Sequence, residues 1–187
     1  MRKIIGFKLV LRIHETKRRA KKAKLDLAAA GFDDLALQKL LDEATAAVSP
    51  RVLFETFKHP DPDQPLLSPI PGLAYSLVLA SLGDGLTALA PEGAEEPRLR
   101  LLKIIEETAL EETVRFATTL LQDEAEKDVC ELSPISPLAG EALSAVLRKL
   151  SGVKIGVGLG EDGGLVPGAS SAVSLSWLSK SKAKGKR

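Results

Sequence analysis

A chain of 187 residues, 44% apolar and 27% charged, is long enough to bury one hydrophobic core and matches the usual size of a single domain. Its net charge of +1 conceals basic ends: residues 1–27 hold ten Lys or Arg against Glu15 and Asp26, and residues 180–187 hold five and no acid, so the middle is acidic. The lone Cys130 excludes an internal disulfide and a CxxC metal site, which fits a reducing cytoplasm, and no zinc site is expected.

The opening MRKIIGFKLVLRI starts basic like a leader, but Lys8 and Arg12 interrupt its apolar run. It reads as a strand, and neither a leader nor a membrane segment is expected. HETKRRAKKAKLDLAAAG, stopped by Gly31, predicts a helix, and FDDLALQKLLDEATAAVSP predicts another, with Leu37, Leu40, Leu41, Ala44 and Val48 at helical spacing. RVLFETFK is strand-like, HPDPDQPLLSPIPG a loop, and LAYSLVLASLG a buried strand ended by Gly83 and Gly85. His59, Asp61 and Asp63 alternate as metal ligands can, yet the intervening prolines favour a stiff turn. From Pro97 the longest helical pattern sends Leu101, Leu102, Ile105, Ala109, Leu120 and Leu121 toward the core. Cys130 follows an acidic helix end with no histidine near it in sequence, which opposes a nucleophilic role. PLAGEALSAVLRKLSG adds a helix stopped by Gly152.

In KIGVGLGEDGGLVPGASSAVSLSW, Gly158, Gly160 and Gly163 satisfy the spacing G-x-G-x-x-G. A dinucleotide fingerprint needs a helix straight after its glycines, whereas Pro167, Gly168 and a serine-rich alternation follow here, and Glu161 and Asp162 repel phosphate. Period two predicts a hairpin instead. In its first strand Val153, Ile155, Val157 and Leu159 oppose the glycines; in its second, Val173, Leu175 and Trp177 oppose Gly168, Ser170, Ala172, Ser174 and Ser176. The bare side needs a close neighbour, either a helix of the same chain or a ligand or partner in a groove, so Gly158→Val is expected to be damaging. Trp177 reads as a core residue, and Ser170 and Ser171, lacking a G-x-S-x-G elbow, as strand or groove residues. The expected fold is α+β: one domain over residues 1–179 with several helices and an antiparallel sheet that includes a C-terminal hairpin, then a disordered basic tail over 180–187.

Taken in order, DEATAAVSPRVLFETF, LVLASLGDGL, the long acidic helix, ELSPISPLAGEALSAVLRKL and IGVGLGEDGGLVPGASSAVSL resemble the activation domain of cobalamin-dependent methionine synthase and its stand-alone bacterial relatives, over about residues 40–178. The matching positions are Ser81-Leu82-Gly83, Ser133-Pro134, and Val166-Pro167 with Ser170-Ser171. The resemblance implies a C-shaped α+β domain that binds S-adenosylmethionine in a groove and presents it to an oxidised corrinoid on a partner protein for reductive methylation, with electrons from a flavodoxin-type partner. It places ligand-groove candidates at Glu131, Ser133, Pro134, Gly158, Val166, Pro167, Ser170 and Ser171. It names no catalytic residue in this chain. The family's loop carries an arginine before a Gly-Tyr pair, whereas VCELSPISPLAG has Glu131 and neither Gly nor Tyr after Pro134, which predicts weak S-adenosylmethionine binding. A second function class is a non-enzymatic interaction module whose basic ends hold nucleic acid or an acidic protein.

Overall fold

The computed structural model describes residues 1–90 and 93–180. All but the first residue of the predicted tail lies outside them. In chain order the elements are β1 (Arg2–Ile5), α1 (Ile13–Lys22), α2 (Asp34–Ala47), β2 (Arg51–Lys58), the short α3 (Gln64–Leu67), β3 (Ala74–Ser81), a 3-10 turn (Gly85–Leu89) and α4 (Glu96–Lys127). Then follow β4 (Cys130–Leu132), β5 (Ser136–Pro137), α5 (Glu141–Leu150), a 3-10 turn (Gly152–Ile155), β6 (Gly158–Leu159), β7 (Leu165–Val166) and β8 (Ser170–Ser179).

The apolar runs read as strands form an antiparallel sheet in the order β1-β2-β3-β8-β4, with β5 also paired to β8. Every residue of β3 is buried, because both its faces are covered. Val52, Phe54, Val78 and Val173 lie on one face against Val114, Ala117 and Leu121 of α4. Leu53, Leu77 and Leu79 lie on the other against Ala142, Ala145 and Val146 of α5. A third cluster packs α1, α2 and Leu9 and Leu11 against the first half of α4. The chain is therefore a single α+β domain, as expected from its sequence. No described helix is long and apolar enough to cross a membrane.

The small face of β8 has a neighbour in its own chain. Register places Tyr75, Leu77 and Leu79 opposite Ser176, Ser174 and Ala172, so the bulk missing from β8 is supplied by β3, and Ala172 joins the cluster beneath α5. The Ser176 hydroxyl pairs with that of Ser68 at 2.8 Å. Trp177 sits on the α4 face and donates its indole N–H to Ser76 Oγ at 2.7 Å, which satisfies the only polar group of a buried aromatic residue.

Three boundaries depart from expectation. β1 ends at Ile5 because Gly6 turns the chain at φ +69°. α1 stops at Lys22, well before Gly31: Lys24 adopts φ +56° and the Leu25 N–H bonds back to Ala20 O, a left-handed closure that buries Leu25. The first strand of the predicted hairpin is mostly absent. Gly156 at φ +74° closes the 3-10 turn and breaks the extended alternation, so Val153 is 87% exposed while Ile155 and Val157 are buried. What remains is β6–β7, joined by a five-residue loop in which Asp162 accepts the Gly164 N–H at 2.9 Å. A Cβ on Gly158 meets nothing within 4 Å. The expected damage from Gly158→Val is thereby corrected: the variant is expected to melt within about 0.5 kcal/mol of the parent in stability, and a larger loss in a denaturant titration would show that the position is covered.

Candidate functional site

Three segments far apart in sequence meet on β8. Ser170 donates its hydroxyl hydrogen to Ser81 Oγ at 2.9 Å, and the Leu82 N–H bonds to Ala169 O at 2.9 Å. On the opposite edge of β8, Ser133 Oγ accepts the Ser176 N–H at 2.9 Å, the Ser133 N–H bonds to Ser176 O, and Ser136 and Pro137 pair with Ser174 and Val173. Ser133 is buried and therefore a strut for this junction.

Beside the junction a groove of about 520 Å³ separates the start of β8 from the outer flank of α4, within the size range of small-molecule sites. Gly168, Ser170 and Ser171 form one wall, Ile135 and Pro137 extend it, and Lys103, Glu107, Leu110, Val114 and Arg115 of α4 form the other. Lys103 is held by Glu106 at 2.6 Å, and that hydrogen bond raises its pKa against the opposing effect of burial. Arg115 pairs with Glu112 at 2.9 Å. Among the described residues Glu107 makes no ion pair. The groove thus offers hydroxyls, an apolar floor, and the carboxylates of Glu106, Glu107 and Glu111 against the Lys103 ammonium and the Arg115 guanidinium, an acidic excess suited to a zwitterion carrying an extra positive charge.

Of the eight positions singled out from sequence, Ser170 and Ser171 line this groove. Ser133 is bonded to Ser176 and does not line the groove, and Pro134 is exposed at the turn before β5. Glu131 lies exposed in β4, paired across to Leu178. Gly158 and Val166 face each other in the β6–β7 ladder, and Pro167 follows a cis peptide bond; none of the three lines the groove. The α4 wall lies outside the core stripe of Leu101, Leu102, Ile105, Ala109, Leu120 and Leu121. Residues 103, 107, 110 and 114 also recur at helical spacing, and that is the signal that locates the wall.

The stretch HPDPDQP is a clamped turn. Asp61 Oδ1 accepts the Asp63 N–H at 2.9 Å, and Lys149 of α5 donates to Asp61 at 2.7 Å. Burial works to raise the Asp61 carboxyl, but the Lys149 hydrogen bond and the Asp63 N–H together hold it below its ordinary value. No protein-family model and no curated protein matches the chain.

Proposed function

We propose that the chain is a binding module of the methionine synthase activation-domain kind, which takes S-adenosylmethionine in the α4–β8 groove and acts beside a corrinoid protein. One observation carries the reading: of the segments that bear the resemblance, Ser170 and Ser171 line a ligand-sized groove, Ser81 hydrogen-bonds to Ser170, and the stretch that follows Ser133-Pro134 contributes Ile135 and Pro137 to the same wall. The ligand's ammonium and sulfonium charges suit Glu107, and its carboxylate suits Arg115. This chain's residues bind and orient; the redox and methyl-transfer chemistry belongs to the partner's corrinoid and its electron donor.

Because Arg115 is already engaged by Glu112 and no arginine comes from the Ser133–Pro137 loop, calorimetric titration is expected to give a dissociation constant on the order of 1 mM. Gly168→Leu supplies the control. A Cβ at Gly168 meets nothing within 4 Å, so the variant should fold normally while its side chain fills the groove and abolishes the binding heat. Absence of saturable heat in the parent, or equal heat in the blocked variant, overturns the proposal.

A further inference from the structure

Residues 1–40 lie outside the family resemblance, and they build a second groove. The segment after β1 is extended, and alternation buries Leu9 and Leu11 in the α1–α2 cluster while Lys8, Val10 and Arg12 are exposed. Phe7 anchors the segment by stacking on Phe116 of α4 at 4.2 Å between ring centroids. Between this segment, α1 and α4 lies a cleft of about 600 Å³.

Its charge is unbalanced. Lys8, Arg12, Arg18, Arg19 and Arg115 line it against only Glu15, Glu111 and Glu112, which leaves two positive charges before His14 is considered. The carboxylates are all engaged. Glu15 accepts two hydrogen bonds from Arg18 at 2.7 and 2.8 Å and one from Arg19 at 2.8 Å; Glu111 takes a bidentate pair from Arg19, and Glu112 pairs with Arg115. The hydrogen bonds from Arg18 and Arg19 hold the Glu15 carboxyl down at about 2, so it stays charged and keeps both guanidiniums oriented. Lys8 and Arg12 make no ion pair or side-chain hydrogen bond among the described residues. Two exposed, unpaired cations on a backbone anchored by Phe7, Leu9 and Leu11, beside arginines held by carboxylates, form a basic cleft open to an anion.

We propose that this cleft binds a small phosphorylated anion bearing two or more negative charges. A polyphosphate group brings several charged oxygens to a cleft lined by Lys8, Arg12 and Arg18, whereas a single carboxylate brings one charge. The cleft has the volume of a small-molecule site. Its two phenylalanines are stacked on each other, so one face of each is already taken by the other ring.

Pyrophosphate is the probe, added to the full chain at low ionic strength. It should raise the melting temperature and give a saturable calorimetric signal that weakens as salt is added. The double variant Lys8→Ala/Arg12→Ala should melt like the parent without ligand, since both side chains are exposed and unpaired, and should bind pyrophosphate at least about tenfold more weakly. Arg115 and Glu111 line both clefts, whereas Gly168 lines only the α4–β8 groove and Lys8 and Arg12 only this one, so Gly168→Leu should bind pyrophosphate normally, which separates the two. Equal pyrophosphate binding by the double variant, no thermal shift in the parent, or tight binding of a DNA duplex without any binding of pyrophosphate would each overturn the proposal.

Discussion

Gly85→Ala is expected to cost about 3 kcal/mol, lowering the melting temperature by about 10 °C, although alanine is the better former of the helical turn in which the residue sits. A Cβ at Gly85 falls 1.9 Å from the carbonyl oxygen and 2.8 Å from the carbonyl carbon of Ala47, the last residue of α2. Both are backbone atoms, so relief requires α2 and the 3-10 turn to separate. That separation is opposed by the Ser49 N–H to Leu82 O bond of 2.8 Å and by the burial of Leu82 and Leu86 in the α1–α2 cluster. The comparison variant is Gly168→Ala, whose Cβ meets nothing within 4 Å and which should stay within about 0.5 kcal/mol of the parent. Equal stability of the two variants in urea titration would mean that α2 is not seated on this turn.

The same junction explains why LASLGDGL is compositionally unusual. Gly83 turns the chain at φ +74° immediately after β3, the Gly83 N–H bonds to Ser81 Oγ at 3.2 Å, and two residues later Gly85 admits the end of α2. From sequence these glycines read correctly as the end of a strand, but the helix that demands the second one lies about forty residues upstream. Long-range contact of this kind leaves no local signal. The sheet was legible for the opposite reason: β2, β3 and β8 carry period-two or continuous apolar patterns that only a sheet covered on both faces buries. The groove was half legible, since Ser170 and Ser171 stand out in the hairpin motif, whereas its α4 wall joins Leu110 and Val114 to charged residues that look like an ordinary solvated helix face until β5 and β8 come opposite them. The glycines at 156 and 158 misled for a related reason. Gly156 is there for its positive φ, which has no expression in a pattern of alternating side-chain size.

Lys149→Met is expected to destabilise the domain by about 2 kcal/mol at neutral pH and to do so through Asp61. The Lys149 Nζ reaches Asp61 at 2.7 Å and Asp63 at 3.4 Å and lies 4.8 Å from the Phe57 ring centre, with the Lys149 and Asp61 side chains only 15% and 11% exposed. Methionine keeps most of the packing against Phe57 and removes the charge, so the loss reports a carboxylate left in a nearly dry site. The Asp63 N–H still bonds to it, and that remaining partner, with the residual exposure, keeps the cost below that of a fully buried orphan. Asp61→Asn in the same background should restore about half of the loss, because the amide retains an acceptor for the Asp63 N–H without a charge to desolvate. The pH dependence has a definite sign. In the parent the Asp61 carboxyl lies below its ordinary 3.8, so its contribution is complete above that value and fades as the pH falls through the lower folded value. In Lys149→Met the lowering hydrogen bond is gone and burial, the largest influence on the group, drives the carboxyl upward, so acid neutralises it sooner and relieves the variant. The stability gap between parent and variant should therefore narrow as the pH is lowered through 3.8 and below, where the parent's contribution fades. A gap that stays constant as the pH falls below 3.8, or a double variant no more stable than Lys149→Met alone, would show that the HPDPDQP turn is held by packing and not by this ion pair.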